Sequence, residues 1–290
     1  MGAAAIHGAG RQETRRQMVE ADPLVVPESP IFPTVEELRL GILLETLVQA
    51  IYLLPQDYSY DSWVWHRHVL EISDTGDTVG CISFADGLIF GAFYRFDSER
   101  SPFARADPAS YRAEPYFATA PAAVRAVALR DVLPSTNFAT WLGDDARLRD
   151  AIEHETVDQL LAASPELLGP VITAAFWSAG DTLTAAEPWP EVYRHGANLL
   201  RLALAPLDPA LAEWENGMQL APQQVALARH LYERRRAHAS PVMGLEDDEY
   251  ARLIAQGSAQ LDRVRQNLAA VGIALPGESI PPEQVAIRWR

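Results

Sequence analysis

The sequence predicts an α+β fold, in which an antiparallel β-meander in the N-terminal half packs against helices and the C-terminal half is mainly helical. Three observations predict this class. Apolar runs with the length and composition of strands are concentrated in residues 62–96. An Asp-Gly pair, Asp86 and Gly87, joins two of these runs in the manner of a tight β-hairpin. Beyond Pro188, nearly every segment has the apolar spacing of a helix.

The N-terminal boundary of the domain is predicted from proline content. Residues 1–33 contain four prolines and little apolar periodicity, which indicates a flexible arm. Residues 34–290 are predicted to form a single α+β domain, with the sheet within about 34–180 and the helical part within about 181–290. The domain begins with a helix, because Thr34 and Glu37 have the spacing of a capping box.

The central hairpin is predicted to be apolar on both faces. If Ala85 pairs with Leu88 across the turn, alternation places one set of side chains on each face. One face then carries Cys81, Ser83, Phe90, Ala92 and Tyr94, and the other carries Ile82, Phe84, Ile89 and Phe93. We therefore expect the helix that begins at Thr34 to cover one face and later helices to cover the other. The run "PVITAAFW" indicates a buried fourth strand, although its length also permits a helical segment.

Residues 78–93, "TVGCISFADGLIFGAF", resemble the first hairpin of the N-terminal-nucleophile hydrolases, the proteasome-like group. The resemblance implies that Thr78 or Cys81 is a nucleophile released by autocleavage, with its own amine as the base. The chain departs from that family's pattern because it contains no lysine and because Cys81 falls within a predicted strand. We therefore interpret this hairpin as part of the sheet core.

The charge of the chain limits the partners that it is expected to bind. A formal net charge of −15 disfavours nucleic acid and anionic membranes, since both attract basic surfaces. The sequence has no apolar run of the ~20 residues that span a bilayer and no secretory-type segment, so a cytoplasmic location is expected. The single cysteine, Cys81, agrees with a reducing compartment.

All 24 basic residues counted as Lys or Arg are arginine. The absence of lysine excludes Schiff-base chemistry, a pyridoxal phosphate anchor and a Walker-type nucleotide loop, and no cofactor is predicted. Two explanations remain open for this composition. One is avoidance of a reactive amine, and the other is codon drift in a GC-rich bacterial genome.

Two histidines are the candidate metal or catalytic pair. His66 and His68 are predicted to share one face of a strand, roughly 7 Å apart, with Cys81 on the neighbouring strand. Such a pair can bind a metal or serve in catalysis. The alternative is a half-buried pair with ordinary hydrogen-bond partners. We predict no metal, and name His66 and His68 as its ligands if one is bound.

The loop after the hairpin is the predicted binding site. Arginine and aromatic side chains are enriched where proteins bind partners, and this loop and the strand before it supply both kinds. The candidate binding residues are Tyr94, Arg100, Arg105, Tyr111 and Arg112, and Asp97 and Glu99 are added as catalytic groups if the protein is an enzyme. A loop held by its own salt bridges is the alternative interpretation.

A repeat of apolar residues over 250–271 predicts one long helix with a narrow packing seam. Its partner is either the preceding helix, through Val225, Ala228 and Tyr232, or a second copy in a homodimer. The favoured function is a bacterial binding or regulatory protein that acts on another protein, such as an immunity factor or adaptor. The alternative is a small-molecule enzyme with a pocket between the hairpin sheet and the helical layer.

Overall fold

The computed structural model describes residues 31–55, 63–74, 78–104, 110–136, 169–238, 240–255 and 257–289. The arm predicted over residues 1–33 lies outside this description except for its last three residues. The predicted binding residue Arg105 also lies outside the described residues.

The predicted α+β class is confirmed, with a six-stranded antiparallel sheet in the order of the chain. The strands are β1 (Trp63–His66), β2 (Val69–Ser73), β3 (Thr78–Ser83), β4 (Phe90–Arg95), β5 (Ala174–Ala179) and β6 (Thr182–Thr184). A short parallel pair lies apart from this sheet and consists of β7 (Met243–Gly244) and β8 (Ile273–Ala274). The predicted fourth strand is therefore β5, and β6 extends the meander beyond it.

Seven α-helices accompany the sheet within the described residues, mostly in the C-terminal half. They are α1 (Val35–Leu53), α2 (Ala122–Val127), α3 (Trp189–Arg194), α4 (Leu207–Met218), α5 (Pro222–Ala237), α6 (Asp247–Ile254) and α7 (Leu261–Ala270). A π-helical turn, Ala128–Val132, continues α2. None of the described helices is both long and apolar enough to cross a bilayer.

Helix α1 begins at the predicted capping box and crosses one face of the sheet. The Glu37 backbone N–H donates to Thr34 Oγ1 at 3.1 Å, and the Thr34 N–H donates to Glu37 Oε2 at 2.7 Å. The buried Thr46 hydroxyl accepts the indole N–H groups of Trp63 and Trp65 at 3.1 and 3.4 Å. Because a buried indole N–H left without a partner is costly, this shared hydroxyl fixes α1 against β1.

The hairpin between β3 and β4 has the predicted turn. The Leu88 N–H donates to the Ala85 carbonyl at 2.8 Å, and Asp86 and Gly87 have φ values of 56° and 76°. Positive φ at both central residues is the requirement that favours Asp-Gly. The ladder itself begins two pairs further out, where Ser83 lies opposite Phe90.

Both faces of this hairpin are buried, as predicted. Ile82, Phe84, Ile89 and Phe93 belong to the larger apolar cluster, which includes α1 and the C-terminal helices. Cys81, Phe90, Ala92 and Tyr94 belong to the smaller cluster, which includes Tyr111, Phe117 and the buried side of α2. The sheet is therefore the middle layer of three, and residues from both halves of the chain form the larger cluster.

The single strand that was expected to carry His66 and His68 is instead two strands. Arg67 has φ of 56°, and His66 pairs with Val69, so the chain reverses between β1 and β2. His66 ends one strand and His68 lies in the turn. The prediction that these histidines share one strand face is wrong, because the chain makes a hairpin turn at Arg67 and His68 although neither residue is glycine.

The single helix predicted over residues 250–271 is also wrong. Helices α6 and α7 are separated near Gly257, whose φ of 139° suits glycine and whose missing side chain leaves room for Pro55. Helix α6 packs on α5, which was one of the two partners considered, whereas α7 packs on α1 and buries Val264 and Leu268. A homodimer through residues 250–271 stays a prediction.

Substitution of Gly41 tests the close packing of the larger cluster. A Cβ at Gly41 would lie 1.5 Å from the backbone oxygen of Ala203, so Gly41→Ala must displace backbone. We expect the free energy of unfolding to fall by about 2 kcal/mol, even though alanine has the higher helix propensity. Urea denaturation measures the change. Gly244→Ala is the matched control, because no heavy atom lies within 4 Å of its Cβ position. Equal stability of the two variants would contradict the close approach.

Candidate functional site

The loop after β4 meets helix α3 in a group of polar side chains that we call the loop–helix cluster. Its members are Arg95, Asp97, Ser98, Arg100, Glu187, Glu191 and His195. The loop follows β4 directly. Thr173, the residue before β5, forms hydrogen bonds both with the end of β4 and with the end of α3. The Arg95 N–H donates to Thr173 Oγ1 at 2.8 Å, and Thr173 Oγ1 donates to the His195 carbonyl at 2.6 Å.

A serine, a histidine and a carboxylate lie next to one another in space at the centre of this cluster. Ser98 Oγ lies 2.7 Å from His195 Nδ1, and the carboxylate of Glu191 lies 3.4 Å from His195 Nε2. The Arg100 backbone N–H donates to Ser98 Oγ at 3.1 Å and fixes its direction. Ser98 is only 5% exposed and His195 only 3% exposed. The arrangement places one imidazole between a hydroxyl and an acid.

Arginine side chains hold the loop against α3. Arg100 donates to Glu187 at 2.5 Å and to Glu191 at 3.2 Å. Arg95 pairs with Asp97 and donates to the Arg194 carbonyl at 3.0 Å. Charge-assisted bonds of this kind are stronger and shorter than neutral ones, so they fix the start of the loop to α3 and to the residues before it.

The electrostatic environment keeps His195 neutral. Burial lowers the pKa of His195, and the nearby Arg100 charge lowers it further, whereas Glu191 and Glu99 oppose the shift. The pKa of Asp97 is also lowered, chiefly by its hydrogen bond with Arg95. A neutral imidazole beside a hydroxyl can accept the hydroxyl proton, which is the elementary requirement of general-base catalysis.

A second polar group, which we call the turn cluster, lies at the opposite end of β4. It consists of His68, Ser83, Asp86, Arg130 and Asp131. The Asp131 carboxylate lies 3.2 Å from His68 Nε2, accepts a bond from Ser83 at 3.4 Å and receives two bonds from Arg130 at 2.7 Å each. Arg130 also donates to Asp86 at 3.0 Å. The π-helical turn is thereby fixed to two hairpin turns of the sheet.

The charges of the turn cluster stabilise each other. Burial acts to raise the pKa of Asp131, but the hydrogen bonds from Arg130 and the nearby His68 outweigh it, and the pKa is lowered overall. The Asp131 side chain is only 8% exposed, so its ionised form depends on these partners. His68 therefore lies beside the Asp131 carboxylate. This pair was not predicted from the sequence.

The predicted catalytic residues do not converge on one site. His66 is exposed and lies 3.3 Å from Glu71. Cys81 is buried in the smaller apolar cluster, and this burial raises the pKa of its thiol well above the ordinary value. Only Asp97 and Glu99 belong to the neighbourhood of His195. Their roles in catalysis stay predictions.

The predicted binding residues mostly make internal contacts. Tyr94 is buried with its hydroxyl 3.1 Å from Ser101 Oγ, and Tyr111 both donates to and accepts from the Ile172 backbone at 2.6 Å. Arg100 pairs with glutamates of the loop–helix cluster, whereas Arg112 is exposed and donates to the Tyr111 carbonyl. Arg100 and Tyr111 thus join the loop to segments outside it, and the part of these residues in binding stays a prediction.

Comparison with known proteins gives no relative. No protein-family model, curated protein or solved structure matches this chain. In the part of the chain that the structure describes, no group of three or more His, Cys, Asp or Glu side chains is placed to hold a metal ion. The function is therefore inferred from local geometry.

Sequence reasoning missed His195, Glu191 and Asp131. His195 ends a short helix that the sequence did predict, but its partner Ser98 is 97 residues away. Glu191 and His195 have the i,i+4 spacing of neighbours on one helix face, and this spacing was the available local signal. Nothing in the sequence near Asp131 points to His68 or Ser83.

The reactivity of the Cys81 thiol tests whether Cys81 lies in the core as predicted. We expect native protein to resist a charged aromatic disulfide reagent, because the thiol is buried and its raised pKa suppresses the reactive thiolate. The same protein in denaturant should react with one equivalent of reagent. Absorbance of the released thiolate measures both rates. Rapid reaction of the native protein would restore Cys81 as a nucleophile candidate.

The lowered pKa of His195 predicts a pH dependence of stability. Because the unfolded chain binds a proton near pH 6.5 and the folded chain binds it only at lower pH, stability falls as pH decreases below about 6.5. His195→Gln should flatten the curve of unfolding free energy between about pH 7 and 5, before carboxylates dominate. His238→Gln, at an exposed histidine, is the control and should leave the slope unchanged. Parallel curves for wild type and His195→Gln would refute this assignment.

Proposed function

We propose that this protein is a bacterial, cytoplasmic binding protein that docks on another protein through the exposed face of α2 and its π-helical turn. The observation that carries the proposal is Leu129, which is 61% exposed. The other large apolar side chain recorded as exposed among the described residues is Ile31, at 76%. A partner that covered this side chain would remove its apolar surface from water, which favours association.

Three apolar side chains lie along the exposed side of this segment. Ala122, Ala126 and Leu129 follow one another at spacings of four and three residues and are exposed. The opposite side of the same segment is buried in the smaller apolar cluster through Val124, Val127 and Val132. Small side chains beside one large apolar side chain permit close approach of a second backbone.

The arginine next to Leu129 is already held in place. Arg130 is bound by Asp131 and Asp86, and its side chain is about half exposed. Binding would therefore cost little additional side-chain entropy at Arg130. An ordered arginine at a π-helical turn combines two features that are frequent at functional sites.

The charge of the chain selects the kind of partner. At a formal net charge of −15, association is fastest with a protein of net positive charge. We therefore propose a basic protein partner with an apolar pocket for Leu129. Immunity factors and adaptors that neutralise or recruit a basic protein fit this description. Nucleic acid and anionic membranes are disfavoured by the same charge.

The alternative function, an enzyme with a pocket between the hairpin sheet and the helices, has less support. On that face of the sheet, side chains such as Ile82 and Phe93 pack directly in the larger apolar cluster with α1 and the C-terminal helices. The polar groups with catalytic chemistry lie instead at the end of β4. If the protein has an enzymatic activity, the loop–helix cluster is therefore the place where its side chains could support it.

A photo-crosslinking residue at position 129 tests the proposed surface in the source cells. We expect one discrete adduct with a basic protein, whereas the same residue at exposed Asn216, on the other side of the sheet, should give none. The identified partner must then bind the purified chain in a pull-down at low salt. Leu129→Glu should weaken that binding at least tenfold and leave thermal stability unchanged.

Three outcomes would count against the proposal. They are equal crosslinking at positions 129 and 216, an adduct only with a second copy of this chain, and undiminished binding by Leu129→Glu. An acidic or nucleic-acid partner would overturn the charge argument separately from the location of the surface.

A further inference from the structure

The loop–helix cluster has a geometry that protein binding at Leu129 does not use. It follows the opposite end of β4 from the turn cluster and shares no residue with the proposed docking surface. Ser98 Oγ is within hydrogen-bond reach of one imidazole nitrogen, at 2.7 Å, and a carboxylate lies 3.4 Å from the other nitrogen. A nucleophile, a base and an orienting acid in this order characterise activated hydroxyl groups.

We propose that Ser98 is an acyl-accepting nucleophile with His195 as its base, and that the cluster hydrolyses small, uncharged acyl esters. The Glu191 carboxylate, 3.4 Å from His195 Nε2, stabilises the imidazolium that forms during the reaction. The inference concerns a separate site and does not depend on the proposed binding function.

The hydrogen bonds around Ser98 leave its proton directed at the base. The Arg100 backbone N–H donates to Ser98 Oγ at 3.1 Å and occupies one of its lone pairs. The neutral imidazole then accepts the Ser98 proton at Nδ1 and carries its own proton at Nε2, on the side of Glu191. Burial keeps His195 in this neutral, proton-accepting form near pH 7.

The surroundings of Ser98 define the substrate class. Ser98 and His195 are almost fully buried, so the acyl group that reaches Oγ must be small. Its sequence neighbours Asp97 and Glu99 are exposed carboxylates, which repel anionic substrates. Arg95 and Arg100 are paired with acidic side chains and so add little attraction for an anion. A short, neutral acyl ester satisfies each of these conditions.

The chemical step balances with water as the only co-reactant. Ser98 Oγ attacks the carbonyl carbon and forms the new C–O bond, while the hydroxyl proton moves to His195 Nδ1. The carbonyl electron pair moves to oxygen and returns as the bond to the leaving alkoxide breaks, and the alcohol departs with the proton from His195. Water repeats the sequence on the acyl-serine, which releases the carboxylic acid and restores Ser98.

A small dialkyl fluorophosphate tests the nucleophile directly on the full-length protein. We expect one dialkylphosphoryl group per chain, mapped to Ser98 by peptide mass spectrometry, with release of p-nitrophenol from p-nitrophenyl acetate blocked by the label. The labelling rate should rise with pH as His195 loses its proton, with a midpoint below about 6.5. A structural hydrogen bond between Ser98 and His195 would produce neither labelling nor this profile.

Matched variants separate the base from general reactivity. Ser98→Ala should remove the label, and His195→Gln should slow labelling about 100-fold, the typical contribution of a general base. Ser258→Ala, at an exposed serine, should behave as wild type. Label on several exposed serines, no label on Ser98, or an unchanged rate in His195→Gln would each overturn the proposal. Mapping on the wild-type chain decides the question even if a variant fails to fold.

Discussion

The structure depends on one constraint, which is that the central β3–β4 hairpin is apolar on both faces and both must be kept from water. Helix α1 and the C-terminal helices cover one face, and residues 110–136 with the buried side of α2 cover the other. Because apolar burial is the main favourable term in folding, this requirement joins the two halves of the chain. It also moves the polar chemistry to the two ends of β4.

Each end of β4 is closed by charged side chains that act as fixed ties between elements. At one end Arg100 joins the loop to Glu187 and Glu191, and at the other Arg130 joins the π-helical turn to Asp86 and Asp131. With no lysine in the chain, arginine makes every such tie other than those of histidine. The planar guanidinium can bind two acceptors at once, which suits it to bridging separate segments.

The sequence allowed prediction of features that depend on neighbouring residues. Alternation along the strand assigned Cys81 and Ile82 to opposite faces correctly, and the spacing of Thr34 and Glu37 located the start of α1. Predictions failed where the backbone departs from its usual preference. Arg67 adopts positive φ without being glycine, so the strand that was expected to hold His66 and His68 reverses between them.

The candidate site was only partly predictable for a different reason. The loop that contains Asp97 and Arg100 was predicted as a binding site, and His195 reaches it from a helix that lies far away in sequence. Contacts between distant segments leave no periodic signal. The break near Gly257 also depends on a distant segment, because Pro55 occupies the space where a side chain at position 257 would lie.

The edges of the six-stranded sheet carry a consequence for behaviour at high concentration. The Leu183 N–H of β6 donates to the Pro33 carbonyl at 3.0 Å, and the Val35 N–H donates to the backbone carbonyl of Asp181, next to β6, at 2.9 Å. The Gln266 side chain of α7 donates to the Trp65 carbonyl of β1. Unpaired strand edges are the usual templates for intermolecular β-pairing. The chain that leads into α1 therefore occupies edge groups of β6, and α7 occupies one carbonyl on the edge of β1. Chains that have lost the segment before α1 would therefore be the ones to form fibrous aggregates first.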